Sequence, residues 1–330
     1  MAEVMTVRGP VSADQLGTTL MHEHIFINEM IEERAIGLLH DYDLMKQEID
    51  HFAAAGGRTI VELTTAELTS GAAPDPTGRF GGVPSTGYAE NGSREPNQVL
   101  NLLKISLETG VNIILGAGHY RDPYLDHSYV DRRSVGDIAR KILDEATTGF
   151  AGTNVRAGII GEIAADKWHV SAAEERSFRA AARAQKATGL AITTHASRWP
   201  VGVEQLDILC AEGADPRRVV IGHCDTVNIP EYHEELARRG AFVEFDTIRG
   251  NTEFDTRRRV ALVMNLVRKG HIGQVLLSHD ICSRTHLHAA GGEGYDYIPA
   301  RFVKALMSAG LDEAGVEQLL VHNPRRALAG

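Results

Sequence analysis

Short runs of apolar, β-branched residues recur along the chain, and they constrain its fold more than any other feature. Each run is nearly continuous in apolar residues rather than alternating, which is typical of parallel strands buried on both faces. The sequence predicts eight such strands, at residues 18–25, 58–65, 111–117, 156–163, 190–195, 218–223, 241–246 and 274–280.

Helical patterns separate these strands. Val135, Ile138, Ile142 and Ala146 recur at the spacing of one buried helix face, which predicts a helix within residues 131–149. The stretch SAAEE at 171–175 is a capping-box pattern that predicts a helix over residues 172–188. Further helices are predicted at 43–55, 95–109, 203–212, 229–239, 256–270, 296–309 and 312–320.

Alternation of eight strands with helices predicts an α/β fold, a (β/α)8 TIM barrel. A doubly wound open sheet is the alternative. No composition shift marks a linker, so we expect one domain over residues 1–330. Two long segments, 66–94 and 281–295, follow the second and eighth strands. In a barrel they would frame the substrate pocket.

Composition narrows the class of partner. The net charge is −10 and the isoelectric point is about 5.8, which argues against a nucleic-acid partner. Three cysteines without a CxxC pair indicate reduced thiols, and the N-terminus lacks a signal-peptide pattern, so we expect a cytoplasmic protein. No apolar run reaches the length of a membrane span. A small-molecule substrate is the expected partner.

Polar residues that can bind metals close five of the predicted strands. All stand at the C-terminal ends of strands, where the active sites of barrels lie. The two histidines of the first strand are two residues apart and therefore share one face, while the intervening Glu23 faces the helical layer. The candidates are His22, His24, Glu162, His195, His223 and Asp280.

Four imidazoles and two carboxylates exceed the needs of one tetrahedral ion, and they suit two divalent ions that share a carboxylate and a hydroxide. We expect Zn²⁺, while Mn²⁺, Co²⁺ and Fe²⁺ also suit these ligands. Taken singly, each histidine could be a hydrogen-bonded core residue, Glu162 an ion-pair partner and Asp280 a turn cap. Unpaired, the six would be costly to bury together, which favours the metal interpretation.

Other polar residues near the strand ends are candidates for substrate contact, with loop packing as the alternative for each. His119 closes the third strand and could contact substrate or pack. His279 neighbours Asp280 and is expected to face the helices. The candidate substrate contacts are Tyr120, Arg121, Arg249 and Arg284.

The chain resembles the phosphotriesterase family of the amidohydrolase superfamily. The opening TVRGPVSADQLGTTLMHEHIFI and the ordered motifs TTHAS, IGHCD, LLSHD and HNPRR carry the resemblance, which covers essentially the whole chain. It implies a binuclear metal site and a homodimer. A more buried α metal would be held by His22, His24 and Asp280, a more exposed β metal by His195 and His223, and the strand 4 residue would bridge the two ions.

Two positions depart from that family's best-known pattern. The bridging residue there is a carboxylated lysine, whereas this chain has Glu162, as in the phosphotriesterase-related branch, and Lys167 lies five residues too far on. Triesterases also carry a histidine after the strand 7 aspartate, where this chain has Thr247. Asp225 matches the family's aspartate after the strand 6 histidine, but without a histidine at position 247 a proton shuttle from Asp280 through histidine would be incomplete.

We therefore predict a hydrolase in which a metal-bridging hydroxide attacks a carboxylic ester, first of all a lactone, with Asp280 as the proton acceptor. Neither GxSxG nor a P-loop is present. The same metals would also suit a phosphotriester or an amide of a small N-acyl amino compound. A protein that uses the pocket only for binding is the alternative from another class.

Overall fold

The structure is a computed structural model that describes residues 2–72, 92–150, 152–165 and 167–330. Eight parallel strands lie side by side in chain order. Each overlaps one predicted run, so the predicted strand pattern is confirmed. The strands are β1 (Thr19–Glu23), β2 (Thr59–Glu62), β3 (Asn112–Ala117), β4 (Ile159–Ala164), β5 (Ile192–His195), β6 (Val219–Ile221), β7 (Phe242–Phe245) and β8 (Val275–Leu277).

The first and last strands meet, which nearly closes the sheet. The amide of Asp280 donates to the carbonyl oxygen of His22 over 3.1 Å. The amide of His22 donates to Ser278 Oγ over 2.9 Å. The architecture is therefore a (β/α)8 TIM barrel and not a doubly wound open sheet.

A helix follows each strand, and these helices agree with the prediction to within a few residues. The Ser171–Glu174 capping box forms: Ser171 Oγ accepts from the Glu174 amide, and Glu174 accepts from the Ser171 amide over 2.8 Å. The helices are α1 (Tyr42–Ala54), α2 (Pro96–Thr109), α3 (Val135–Thr147), α4 (Ala172–Thr188), α5 (Gly202–Ala211), α6 (Pro230–Arg238), α7 (Glu253–Arg268) and α8 (Val303–Ser308).

The last two predicted helices are less regular than expected. A π-helical turn at Ile298–Phe302 precedes α8, and the 312–320 helix divides into Glu313–Glu317 and a second π-helical turn at Gln318–His322. A terminal helix, Asn323–Ala329, follows. Of the predicted loop 66–94, residues 73–91 lie outside the described part of the chain.

Two small hairpins were not predicted. Strands Glu3–Thr6 and Gly9–Ser12 pair antiparallel, as do Ile27–Asn28 and Leu38–Leu39. These strands are short and partly exposed, so they lack the apolar runs that mark the barrel strands. The first hairpin packs with the terminal helix against the N-terminal end of the barrel.

Two apolar layers hold the barrel together. The outer layer lies between the strands and the helices. The inner cluster takes residues from all eight strand segments, and residues of eight neighbouring strands can meet only inside the barrel. These interior residues are Met21, Val61, Ile114, Ile159, Ala191, Val220, Phe242 and Leu276. Within the described residues, no helix has the length and apolar character to span a membrane.

Candidate metal centre and active site

The six candidate metal ligands lie together at the C-terminal mouth of the barrel. Among the strand residues, His22 and Glu162 are fully buried or nearly so. The most exposed of the six side chains is Asp280, at 14%. Three overlapping groups of mouth residues have potential ligand atoms within 4.8 Å of one another: His22, His24 and Glu162; His22, His223 and Asp246; and Glu162, His195 and His223.

Irregular backbone turns these side chains toward the mouth. The register of β1 against β2 shifts between Leu20 and Glu23, and that of β4 against β5 shifts between Ile160 and Ile163. Simple alternation of side chains ends at such shifts. His223 and Asp280, which follow β6 and β8, have φ angles of 53° and 54°. Non-glycine residues in this left-handed region are strained, and they concentrate at functional sites.

Glu162 stands at the centre of the group. Its Oε1 lies 3.4 Å from His24 Nε2, which in turn lies 3.3 Å from Asp280 Oδ1. Its Oε2 lies 3.4 Å from His22 Nε2 and 3.1 Å from His195 Nδ1. Oε1 therefore faces His24, whereas Oε2 faces both His22 and His195, so this one carboxylate lies within reach of imidazoles expected at both ions.

The remaining pair of imidazoles lies on the Oε2 side. His223 Nε2 is 2.8 Å from His195 Nδ1 and 3.6 Å from Glu162 Oε2. On the far side of the ring, His223 Nδ1 lies 2.8 Å from Asp246 Oδ1. A carboxylate on the outer nitrogen fixes the ring orientation and tautomer of a metal-binding histidine.

Thr64 plays the matching part for the first strand, because its Oγ1 lies 3.0 Å from His24 Nδ1. Asp246 also lies 3.1 Å from His22 Nδ1, so one carboxylate serves two rings. This role of Asp246 was not predicted from the sequence, although the residue follows β7 as the other candidates close their strands. That position was the available signal.

The donor set fits divalent metal ions. Among the described residues, His22 Nε2 is a buried nitrogen without a hydrogen-bond partner, and it lies 3.4 Å from Glu162 Oε2. Buried polar atoms are rarely left unsatisfied in a folded protein. Imidazole and carboxylate donors without thiolate suit zinc and the related first-row ions.

Electrostatics favour a charged carboxylate at Glu162. Burial alone would raise the pKa of Glu162, but His22, His195 and His223 hold that pKa well below its usual range. Burial and the neighbouring His223 lower the pKa of His195 to about 4. Burial would lower the pKa of His223 as well, but Asp246 outweighs it and raises that pKa to about 10. Metal binding at His223 would therefore release a proton.

The model of the phosphotriesterase family matches residues 2–73 and 93–328. This chain belongs to the phosphotriesterase family. The resemblance inferred from the sequence motifs is thereby confirmed, and as a member of this family the chain is a metal-dependent hydrolase. The phosphotriesterase homology protein of Escherichia coli K12 is 34% identical over 315 residues, which cover 95% of this chain and 98% of that protein.

Other similar proteins and structures are named for different activities. The N-acetyltaurine hydrolase of Dictyostelium discoideum is 26% identical over 391 residues, covering 99% of this chain and 98% of that protein. A resiniferatoxin-binding protein from Rhodobacter sphaeroides superposes with a TM-score of 0.84 at 32% identity, covering 99% of this chain and 95% of that one. A lactonase from Listeria monocytogenes superposes with a TM-score of 0.83 at 26% identity, covering 99% of both chains.

A cavity of about 270 Å³ opens beside the candidate metal ligands. Tyr120 lines it, with its hydroxyl 3.2 Å from His195 Nδ1. Arg121 lines it too, but its guanidinium forms an ion pair with Glu32 over 2.6 Å. Arg249 also lines the wall, and it pairs with Asp280 over 2.5 Å. These two cations are therefore already engaged by carboxylates.

Two residues lie away from this cavity. Arg284 is exposed in the last loop and is not among the described lining residues. His119 is buried, and its Nδ1 lies 2.7 Å from Glu67 Oε1, so it packs rather than reaching the cavity. His279 and Glu23 face away from the mouth as expected, since their side chains pair over 2.8 Å behind β1.

A polar network stands where triesterases carry a histidine. Thr247 Oγ1 donates to Asp225 Oδ2 over 2.6 Å, and Arg259 Nε donates to the same oxygen over 2.7 Å. Asp225 is fully buried. Asp225 is thus fixed by a hydroxyl and a guanidinium, and neither group can relay a proton as a histidine would.

Proposed function

We propose that this chain is a binuclear metal-dependent hydrolase that cleaves a carboxylic ester, first of all a lactone. One observation carries the proposal: the carboxylate of Glu162 lies within 3.4 Å of imidazoles expected at both ions, with His24 on Oε1 and with His22 and His195 on Oε2. A glutamate so placed can bridge two ions without a carboxylated lysine.

The proposed ligands divide between two ions, which we expect to be Zn²⁺. His22, His24 and Asp280 would hold one ion, His195 and His223 the other, and Glu162 would bridge them. When bound, the two ions would make hydroxide available near neutral pH and polarise the acyl oxygen of the substrate.

The protein's own residues would then position the substrate and move the proton. Asp280 presents Oδ1 to the metal site, while Arg249 Nη2 donates to its Oδ2 over 2.5 Å. Held this way, Asp280 can take the proton of the nucleophile and deliver it to the leaving alkoxide. Tyr120 points its hydroxyl at the same centre and can donate to the developing oxyanion.

The charge balance of the cavity supports a neutral substrate. Four arginines (Arg121, Arg198, Arg249 and Arg259) and three glutamates (Glu29, Glu32 and Glu33) line the cavity, and Arg121, Arg249 and Arg259 are ion-paired with carboxylates. With Arg121 and Arg249 both paired to carboxylates, the cavity does not favour an acidic substrate. A cavity of about 270 Å³ suits the small ring of a lactone.

The second candidate is hydrolysis of the amide of a small N-acyl amino compound. It is favoured by the similarity to N-acetyltaurine hydrolases along nearly the whole chain. The same hydroxide and the same Asp280 would serve, with an amine as the leaving group. Recognition of a sulfonate would require that Arg121 or Arg249 exchange its carboxylate partner for the substrate.

A substrate panel tests the proposal. Zinc-reconstituted protein would be assayed with γ- and δ-lactones, N-acetylated amino compounds and a dialkyl aryl phosphate, with Asp280→Asn as the control for contaminating activity. We expect lactones to be cleaved with the highest kcat/KM and the variant to be inactive. Activity on amides alone, or on the phosphotriester alone, would overturn the lactonase assignment in favour of that alternative.

Assembly and location complete the proposal. We expect a cytoplasmic homodimer that contains one domain per chain, as the resemblance and the composition predict. Light scattering would measure the mass of the assembly, and elemental analysis of protein purified without added metal would identify the ions. A monomer, or iron in place of zinc, would contradict the corresponding part of the proposal without affecting the ligand set.

A further inference from the structure

The two tryptophans of the chain meet at the barrel mouth. Trp168 follows β4 and Trp199 follows β5, so they come from the loops behind Glu162 and His195. Their ring centroids are 4.3 Å apart and their planes differ by 17°, which is a stacked arrangement. Two loops thus place their largest aromatic side chains against each other beside the metal centre.

The stacked pair is open to solvent. Trp168 is 73% exposed and Trp199 is 38% exposed. Stacking between the two indoles covers one face of each ring and leaves further aromatic surface outward. An exposed aromatic surface of this size beside a ligand cavity is typical of a recognition site.

The segment that carries Trp199 borders the cavity. Ser197 and Arg198, which immediately precede Trp199, line the cavity. The amide of Arg198 donates over 2.8 Å to Thr226 Oγ1, and Thr226 lines the same cavity. The segment that carries Trp199 is therefore fixed to the cavity rim.

The cavity itself offers little apolar surface. Its described lining consists of charged and polar side chains together with Tyr120 and Cys282, and its volume is about 270 Å³. Because this lining is charged and polar, a large apolar substituent would gain little contact inside the cavity and would be better accommodated at its rim. The nearest aromatic platform on the β4–β5 side is the indole pair.

We propose that Trp168 and Trp199 form a subsite for an aryl group carried by the substrate. This subsite rests on the proposed function, because the ester bond must lie over Glu162 for the substituent to reach the rim. A planar aromatic ring would stack on the exposed indole face, whereas an aliphatic or short substituent would gain less from the contact.

Binding of paired ligands tests the subsite directly. Zinc-reconstituted protein would be titrated with 4-phenylbutyrate and with butyrate, which share a carboxylate and differ in the ring. Tryptophan emission reports on this pair alone, because the chain has no other tryptophan. Calorimetry would give the Kd of each ligand independently of emission.

We expect phenylbutyrate to bind about 3- to 10-fold more tightly than butyrate and to change the emission. Trp168→Ala and Trp199→Ala should each remove most of this preference, and Trp199→Phe should restore much of it. Leu107→Ala, which removes an exposed side chain of α2, should leave the preference unchanged. Equal binding of the two ligands, or a preference that survives both alanine substitutions, would overturn the subsite.

A subunit contact is the competing explanation for exposed tryptophans. If emission follows protein concentration together with a doubling of mass, and neither ligand alters it, the indole pair is an interface and the proposal fails. The proposed reaction can fail independently of the subsite. If the protein prefers the aromatic ligand through the indoles but cleaves no lactone, the subsite stands and the proposed reaction is wrong.

Discussion

The interior of the barrel and its mouth are made by the same strands, yet their chemistry is opposite. In the interior, Phe242 and Leu276 belong to an apolar cluster that receives a residue from every strand segment. A few residues farther along the same two strands, Asp246 and Asp280 join buried imidazoles at the mouth. Position along a strand therefore decides whether its side chains pack or bind.

The difference shows where stability and function reside. Burying apolar area in the interior stabilises the fold. At the mouth, carboxylates and histidines lose their hydration when they are buried. This cost is offset mainly by the contacts that they make with one another and with bound ions. The strained backbone at His223 and Asp280 adds to that cost. Substitutions in the two regions should therefore separate stability from metal binding.

The largest effect is expected at Glu162. Glu162→Ala removes the carboxylate shared by both ligand sets, so we expect loss of at least one of two ions per chain and roughly a 1000-fold or greater fall in kcat/KM. Elemental analysis and kinetics would measure the two quantities on the same sample. Glu145→Gln, which alters a buried carboxylate of α3, is the matched control. If the variant keeps two ions per chain, Glu162 does not bridge them.

The interior should respond in the opposite way. Leu276→Ala leaves a cavity among the residues inside the barrel, and we expect the free energy of unfolding to fall by about 3 kcal/mol. Metal content at saturation should stay the same, because Leu276 offers no ligand atom. Denaturant unfolding with and without added zinc would measure both effects. Loss of metal from a folded Leu276→Ala protein would mean that the two regions are not separable.

The sequence predicted the barrel and the convergence of ligand-type residues for one physical reason. Parallel strands buried on both faces require apolar runs, and a polar residue that ends such a run stands out. His195 and Asp280 are visible in this way without any structure. The hairpin at Glu3–Thr6 is not visible, because its strands are short and half-exposed.

Pairing between distant residues could not be predicted. Whether Arg121 and Arg249 face substrate or a carboxylate depends on which side chains the closed barrel brings near them. Glu32 and Asp280 take those positions, 89 and 31 residues away along the chain. The local sequence pattern predicts which face of the sheet a strand residue points to. The partner of a long, flexible arginine side chain depends instead on which groups the tertiary structure places near it.

Arg249 holds the carboxylate of Asp280 in place at the mouth of the barrel. Its Nε donates to the His279 carbonyl over 2.8 Å while Nη2 donates to Asp280 Oδ2. Arg249→Lys keeps the charge but loses this fork, so we expect kcat to fall about 10-fold, and Arg249→Gln should lower it about 100-fold with two ions retained.

Arg257→Gln on the exposed face of α7 provides the control for loss of a guanidinium. An unchanged KM together with the lower kcat would place Arg249 behind Asp280 rather than on the substrate. If KM rises and kcat holds, Arg249 contacts substrate, as the sequence alone suggested.

The smallest expected effect is a pH dependence set by His286, in the loop that follows β8. Burial and the nearby Arg249 lower the pKa of His286 to about 3. The folded state therefore favours neutral histidine, and the unfolded chain takes up a proton near pH 6.5 that the folded chain does not. The free energy of unfolding should fall as pH decreases from 6.5 toward 3. His286→Gln has no proton to gain, so between pH 6.5 and 5 the native protein should lose about 1.6 kcal/mol more than this variant. Denaturant unfolding at fixed ionic strength would compare the two. Parallel curves would show that His286 is protonated alike in both states, and the loop beside the mouth would then be open to water in solution.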